Sequence, residues 1–140
     1  MNHSMTDNLK LLPINEKDYE FLYKLLSERK QITFISHKKM PTYEEHVKFI
    51  ESEPYSKWYI IQIDDKKIGS IYLTKENEIG IFLKEDIQRR GIGSNALNEL
   101  ININPGLRYL ANINPKNDKS IEFFKKSGFK LIQYTYELNV

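Results

Sequence analysis

Six consecutive residues at positions 88–93 have types and spacing suited to binding an anion. They read Gln-Arg-Arg-Gly-Ile-Gly and stand between an apolar run and a helical pattern. The first amides of a helix have no partner inside it, the helix dipole places about half a positive charge there, and glycine lets a phosphate approach the backbone. Each side-chain hydrogen bond to a charged oxygen contributes about 1.5 to 3 kcal/mol. The segment therefore predicts an anion-binding loop, with an ordinary turn and solvated arginines as the alternative.

The segments before this loop predict a strand, two helices and a three-stranded meander. An apolar run at 9–14 suits a strand, and Asn15 can cap a helix that carries an apolar stripe. The stripe consists of Tyr19, Leu22, Tyr23 and Leu26. Thr42 and Glu45 form a capping box for a second helix that runs through about residue 50. Strand patterns follow at 58–63, 68–73 and 78–83, and their short polar links favour antiparallel pairing.

The segments behind the loop predict a helix, a strand, a helix and a final strand. Residues 92–101 repeat apolar side chains at helical spacing, and an Asn-Pro-Gly sequence at 104–106 ends that helix. Residues 108–113 and 129–138 are strand-like. Asn117 or Asp118 caps the helix between them, and Gly128 supplies its left-handed stop. The order βααβββαβαβ predicts an α/β fold with a mixed sheet covered by helices.

Composition predicts one ordered domain, residues 1–140, and excludes several classes of protein. The hydrophobic share of 40% and the charged share of 29% are typical of a globular protein. A net charge of +2 leaves no general field to attract nucleic acid. Cysteine is absent, which excludes disulfides and thiolate metal sites. No apolar run reaches the roughly 18 to 20 residues of a membrane span, and no signal-peptide core is visible, so a cytoplasmic protein is expected.

Two motifs resemble those of the GNAT N-acetyltransferase superfamily. Residues 88–93 match its Q/R-x-x-G-x-G/A signature, and residues 117–129 are similar to its second motif. The separation of the motifs and the element order agree, so the resemblance covers essentially the whole chain. It implies a GNAT-like α/β fold, with a mixed, mostly antiparallel sheet that is splayed in the middle and carries helices on both faces. Gly80 is then a reasonable position for a bulge that starts the splay.

The resemblance also implies acetyl-CoA as co-substrate and no metal. The strand before the loop would offer backbone groups to the pantetheine arm, the loop would bind the diphosphate, and the last helix would contact the coenzyme. The residues so implied are Ile81, Phe82, Leu83, Gln88, Arg89, Arg90, Gly91, Ile92, Gly93, Ser94, Asn117, Ser120 and Phe124. Core packing is expected as well for Ile81, Leu83 and Phe124.

The implied chemistry is direct attack of a neutral amine on the acetyl thioester, with the backbone N–H of Phe82 or Leu83 meeting the oxyanion. This chain departs from the family pattern at two positions. Many relatives carry a tyrosine acid where it has Phe124, and some carry a glutamate base where it has Asn112. The replacement candidates are the bases Glu78 and His46 and the acids Tyr134 and Tyr136. Each has a structural alternative, which is a solvated turn for the glutamate, a helix surface for the histidine and cross-strand packing for the tyrosines.

A weak base favours an acceptor amine of low basicity, as in an amino sugar or a nucleotide-linked amino sugar. The compact architecture is also similar to bacterial acetyltransferases of surface-sugar biosynthesis. A peptide, protein or polyamine acceptor and a non-catalytic acetyl-CoA-binding module are the alternatives. The expected partner is a small-molecule amine, without nucleic acid or membrane. Either a monomer or a homodimer is expected, because pairing across a dimer would cover an exposed sheet edge at the end of the chain.

Overall fold

A computed structural model describes residues 8–29, 39–87 and 91–140 of the chain. The strands are β1 (Leu9–Pro13), β2 (Lys57–Ile63), β3 (Lys66–Leu73) and β4 (Ile79–Leu83). The helices are α1 (Tyr19–Ser27), α2 (Tyr43–Glu51), α3 (Ile92–Ile103) and α4 (Asp118–Lys126), and short 3-10 segments lie at Glu16–Asp18 and Glu85–Ile87. The predicted order of strands and helices is therefore confirmed as far as α4, apart from the strand expected at 108–113.

The four strands form one antiparallel sheet in the order β1-β2-β3-β4. β2 and β3 are joined by a two-residue turn, Asp64 and Asp65, whose φ angles of 49° and 65° are both left-handed. Such a turn matches the twist of the strands that it connects, and Asp tolerates this conformation better than most residues. Because such a turn depends only on residues close in sequence, the antiparallel meander of β2, β3 and β4 could be predicted from the sequence.

The sheet is splayed where β4 meets the segment 108–113. Ile79 N donates to Leu110 O at 2.8 Å, and Leu110 N donates to Asn77 O at 2.9 Å. These bonds make one isolated parallel bridge, between Glu78 and Leu110, and within the described residues the ladder does not continue beyond it. The mixed, splayed sheet is confirmed, and the strand expected at 108–113 is reduced to this bridge.

Helices cover both faces of the sheet, as predicted. Alternate residues of β2 point to opposite sides, so Ile61 packs with Leu100 of α3 whereas Ile60 packs with Leu22 of α1 and Ile50 of α2. All five side chains are at least 95% buried. Full burial of one such side chain stabilises the fold by about 1.5 to 3 kcal/mol. The fold thus has two cores that share one sheet.

The predicted helix caps form. Thr42 Oγ1 accepts from Glu45 N at 3.1 Å, and Glu45 Oε1 accepts from Thr42 N at 2.8 Å, which completes the capping box of α2. Asn15 and Asp18 make a second box before α1. Asp18 is buried and also pairs with Lys67 Nζ at 2.6 Å, so the start of α1 is tied to β3. These bonds fix the two helices that cover one face of the sheet.

The prediction of a final strand at 129–138 is wrong for the described chain. Residues 130–140 belong to no strand there, and the apolar side chains from Leu131 onward are 63% to 119% exposed. The segment has the alternation of a strand, but a strand also needs a neighbour to bond. The segment 108–113, which is also strand-like in sequence, is paired only at Leu110 among the described residues.

Candidate functional site

One edge of β4 presents backbone groups away from the sheet. Lys84 N donates to Ile68 O at 2.8 Å, and Thr74 N donates to Glu78 O at 2.9 Å. The even-numbered residues of β4 therefore direct their backbone N–H and C=O groups towards β3. Bonding direction alternates along an antiparallel strand, and therefore Ile81 and Leu83 direct their N–H and C=O groups to the other side. Leu83, rather than Phe82, has the orientation that was expected of an oxyanion donor.

The first turn of α3 continues this edge. Gly91 is the N-cap with φ 87°, and a Cβ built on it would meet no atom of the described residues within 4 Å. Asn95 N donates to Gly91 O at 2.9 Å, which is the first bond of the helix. The amides of Ile92, Gly93 and Ser94 therefore have no partner within the helix. Helix amides without an intrahelical partner, next to the open space at the Cβ position of Gly91, fit the predicted diphosphate site. We call this first turn, together with the backbone of Ile81 and Leu83, the outer edge.

Several residues that were predicted to bind the coenzyme have positions that limit which of their groups can contact it. Gln88, Arg89 and Arg90 lie outside the described residues. The side chain of Ile92 is 2% exposed, which leaves only its amide for a ligand. Ser94 is exposed at the helix start.

Helix α4 lies beside the start of α3. Asn117 Oδ1 accepts from Ser120 N at 3.2 Å and so caps α4. Phe124 is 6% exposed and packs edge-to-face on Phe123 and Phe129, with 5.0 Å between ring centroids in each pair. A Cβ on Gly93 would lie 3.0 Å from the Phe123 ring, so α3 and α4 touch at this glycine. Asn117 and Phe124 thus have structural roles at the place where coenzyme contacts were predicted.

A cavity of about 410 Å³ lies on the opposite face, between α1, α2 and the sheet. Its lining is mainly apolar and aromatic. The residues are Leu22, Leu25, Leu26, Arg29, Lys39, Met40, Pro41, Glu45, His46, Phe49, Tyr55, Trp58, Ser70, Tyr72 and Phe82. We call it the aromatic cavity. This volume is within the range of about 300 to 1,000 Å³ usual for small-molecule sites.

The aromatic side chains of this cavity pack on one another. Tyr55 and Tyr72 stack in parallel, with ring centroids 3.7 Å apart, and Trp58 meets Tyr55 edge-on at 4.7 Å. Gly80 makes room for this stack, because a Cβ at that position would overlap the Tyr72 ring. Pairing of β3 with β4 runs through Gly80 without irregularity, so the predicted bulge there is wrong. The irregularity that does occur lies between β2 and β3, at Ile61 and Gln62.

The polar groups of the cavity are mostly hydrogen-bond donors. The Arg29 guanidinium lies 3.8 Å from the centroid of the Phe82 ring, and burial lowers the pKa of Arg29, although a guanidinium stays charged at neutral pH. Burial also raises the pKa of Tyr55 and of Tyr72, so both hydroxyls stay protonated. Trp58 Nε1 is buried and has no hydrogen-bond partner among the described residues.

The predicted bases lie in two places. His46 is 7% exposed and lines the aromatic cavity, where its ring stacks on Phe49 with centroids 6.3 Å apart. Glu78 lies at the splay, where its Oε2 accepts from Asn112 Nδ2 at 2.7 Å and its Oε1 accepts from Thr74 Oγ1 at 3.2 Å. The structure thus joins the candidate base to Asn112, the residue that stands where some relatives have a base.

The two tyrosines predicted as candidates for the catalytic acid lie neither at the outer edge nor in the aromatic cavity. Tyr134 is 75% exposed and Tyr136 is 89% exposed, and neither lines the cavity. Of the aromatic residues that do line it, Phe49, Tyr55, Trp58 and Tyr72 were missed by sequence reasoning. Alternation along β3, with Ser70 and Tyr72 on one face and Ile71 on the other, was the signal that could have found part of the set.

No group of three or more His, Cys, Asp or Glu side chains within residues 8–29, 39–87 and 91–140 is placed to hold a metal ion. Among the helices of the described residues, none combines the length and the apolar character that a bilayer crossing requires.

Comparison with known proteins gives a family match and two partial relatives. The family model described as Acetyltransferase (GNAT) domain matches residues 8–130. The chain is also similar to the peptidyl-lysine N-acetyltransferase YjaB of Salmonella typhimurium, with 31% identity over 74 residues. That match covers 53% of this chain and 50% of the relative, so the chain spans about half the length of the curated relatives it matches.

Solved structures share the fold over most of the chain. A domain from Methanocaldococcus jannaschii aligns with a TM-score of 0.77 over 92% of each chain, at 22% identity. RimL, a ribosomal L7/L12 α-N-protein acetyltransferase in complex with coenzyme A, aligns with a TM-score of 0.72 over 93% of this chain and 84% of its own, at 21% identity. Likeness at this level of identity shows the fold.

Proposed function

Since the chain belongs to the acetyltransferase (GNAT) domain family, we propose that it is an acetyl-CoA-dependent N-acetyltransferase that acts on a primary amine. The observation that carries the proposal is the outer edge, where the backbone of β4 and the first turn of α3 meet beside the splay. Backbone donors in this arrangement suit an extended arm that ends in a diphosphate. The coenzyme supplies the acetyl group as an activated thioester.

The residues proposed to hold the coenzyme act mainly through main-chain groups. Ile81 and Leu83 face the arm with N–H and C=O, and the amides of Ile92, Gly93 and Ser94 face the diphosphate. Leu83 N–H is the proposed oxyanion donor. The side chains of Gln88, Arg89 and Arg90 are proposed to add charged donors to the loop. Asn117, Ser120 and Phe124 are proposed to complete the site from α4.

The aromatic cavity is proposed to receive the acceptor. Phe82 lines it with its side chain, while its neighbours Ile81 and Leu83 belong to the outer edge, so β4 separates donor from acceptor by a single strand. A cavity of about 410 Å³ has room for a small amine, and we propose that this amine is an amino sugar or the sugar part of a nucleotide-linked amino sugar. Peptidyl-lysine is the second candidate, because that is the substrate named for the relative at 31% identity.

Proton transfer is proposed to fall to the two bases that the structure positions. His46 lines the cavity wall, and we propose that it takes a proton from the acceptor amine directly. Glu78 lies at the splay beside Tyr72 and would act through a water. In this scheme, His46→Gln lowers kcat/KM for the acceptor more than Glu78→Gln does, while both variants bind coenzyme A normally.

Calorimetry with coenzyme A and a thiol-release assay test the proposal. We expect coenzyme A to bind the intact protein, Arg89→Ala to weaken binding, and acetyl-CoA to release thiol with at least one of the nucleotide-linked amino sugars, polyamines or peptides supplied. No binding of coenzyme A contradicts the proposal. Binding without turnover on every amine identifies a non-catalytic acetyl-CoA-binding module, and thiol release with peptides alone removes the amino-sugar acceptor.

A further inference from the structure

The charged side chains that line the aromatic cavity are mostly positive. Arg29 and Lys39 are cations, and Glu45 is the carboxylate among the lining residues that the structure describes. Glu45 Oε1 already accepts from Thr42 N at 2.8 Å, and this bond holds the pKa of the carboxyl below its usual value. That carboxylate therefore serves the cap of α2, and the cavity offers little negative charge to a cationic ligand.

Arg29 gives the cavity a positive charge in a largely apolar wall. The central carbon of its guanidinium lies 3.8 Å from the centroid of the Phe82 ring, which is a cation–π contact. The N–H donors of a guanidinium lie in its plane, and their fork matches a carboxylate or a phosphate. The attraction between opposite charges is also stronger away from bulk water.

Trp58 adds a donor that needs an acceptor. The residue lines the cavity, its Nε1 is buried without a hydrogen-bond partner among the described residues, and an indole N–H can only donate. Buried polar groups in folded proteins are nearly always hydrogen-bonded, so an acceptor atom is expected from whatever fills the cavity. Tyr55 and Tyr72 add two more hydroxyls to the same wall.

We propose that the acceptor carries an anionic group, a carboxylate or a phosphate, close to its amine, and that Arg29 and Trp58 Nε1 bind this group. The inference rests on the proposed function, because it names the acceptor class of the same site. Aromatic walls by themselves attract cations. Here the face of Phe82 is already covered by Arg29, and the same charge repels the additional ammonium groups of a polyamine.

Matched pairs of amines test this class. Tyrosine is compared with tyramine for the carboxylate, glucosamine 6-phosphate with glucosamine for the phosphate, and spermidine represents polyamines. Trp58 is the sole tryptophan of the chain, so quenching of its fluorescence reports binding in the cavity without any turnover. We expect the anionic member of at least one pair to bind at least about tenfold more tightly than its partner.

Variants assign that preference to the proposed groups. Arg29→Gln is expected to remove the difference within the pair and to leave the affinity of the neutral partner within about twofold, whereas Arg29→Lys keeps part of it. Trp58→Phe, measured by calorimetry, is expected to weaken the anionic member only. Lys10→Gln, an exposed cation on β1, is the control and leaves both affinities unchanged. Melting temperatures verify that each variant is folded.

Equal affinity within both pairs, tighter binding of spermidine, or no binding of either anionic probe overturns the inference. Persistence of the preference in folded Arg29→Gln overturns it too. Coenzyme A binding and thiol release without such a preference refute this inference and leave the proposed function standing. A preference without thiol release from any amine refutes the proposed function and leaves the inference standing.

Discussion

Strand β4 serves two regions at once, because its backbone belongs to the outer edge and the side chain of Phe82 belongs to the aromatic cavity. The outer edge is built from main-chain groups, and its sequence requirement is concentrated in glycines such as Gly91, with φ 87°. The cavity is built from side chains on α1, α2 and three strands. A backbone site fits a ligand part common to a whole family, whereas a side-chain site is where a chain sets its own specificity.

The largest effect is expected from Gly91→Asp at the outer edge. A carboxylate there repels a diphosphate and forces a side chain into a left-handed conformation, so coenzyme A should bind about 100-fold more weakly, or about 2.8 kcal/mol. Gly128→Asp is a matched control, because φ is 97° and no atom lies within 4 Å of its built Cβ. Calorimetry on both variants checks this. Equal coenzyme affinity in the two would place the diphosphate elsewhere.

A smaller effect, on the cavity, is expected from Gly80→Ala. The added methyl group overlaps the Tyr72 ring and breaks its stack with Tyr55, so we expect a loss of about 2 kcal/mol in unfolding free energy and a higher KM for the acceptor. Coenzyme A affinity should change less than about twofold. Urea unfolding in a double-mutant cycle with Tyr72→Leu checks the cause, since Gly80→Ala should cost less when the ring is absent.

Raising the pH from 10 to 11 is expected to lower the free energy of unfolding by at most about 1.4 kcal/mol for each of the two buried tyrosines. Burial raises the pKa of Tyr55 and Tyr72 above 10.0 in the folded protein, so above pH 10 the unfolded chain releases protons that the folded chain retains. The contribution of these two tyrosines to the free energy of unfolding is therefore fully present below about pH 10, and it decreases as the pH rises to 11. Urea unfolding at pH 8 and pH 11 checks this, and Tyr55→Phe should lose less than the wild type. An identical loss in both would show that the stack is open to water.

The smallest effect is expected from Tyr134→Phe and Tyr136→Phe. Both side chains are mostly exposed and line neither region, so kcat and KM should stay within about twofold and the melting temperature should not move. Steady-state kinetics on each variant check this. A tenfold loss of kcat would show instead that the C-terminal segment reaches the acceptor and supplies the acid.

Prediction from sequence succeeded for features that depend on residues close to one another along the chain. The capping box of Thr42 and Glu45, the turn before β3 and the glycine loop before α3 are all short-range features, and each was readable. His46 was identified only as a candidate base, because a helix pattern does not reveal that its ring faces a cavity. Arg29, Tyr55 and Trp58 were not identified at all, since they meet only after α1, α2 and the strands have packed.

The sequence by itself determined the family, the element order as far as α4 and the position of the glycine loop, because hydrophobic period, caps and turns are local properties of the chain. The tertiary structure alone decided that Gly80 accommodates a ring instead of starting a bulge, that Leu83 rather than Phe82 faces outward, and that residues 130–140 form no strand. Each of these depends on which distant atoms lie beside a residue, and hydrogen-bond partners and packing contacts between distant segments exist only in the folded chain.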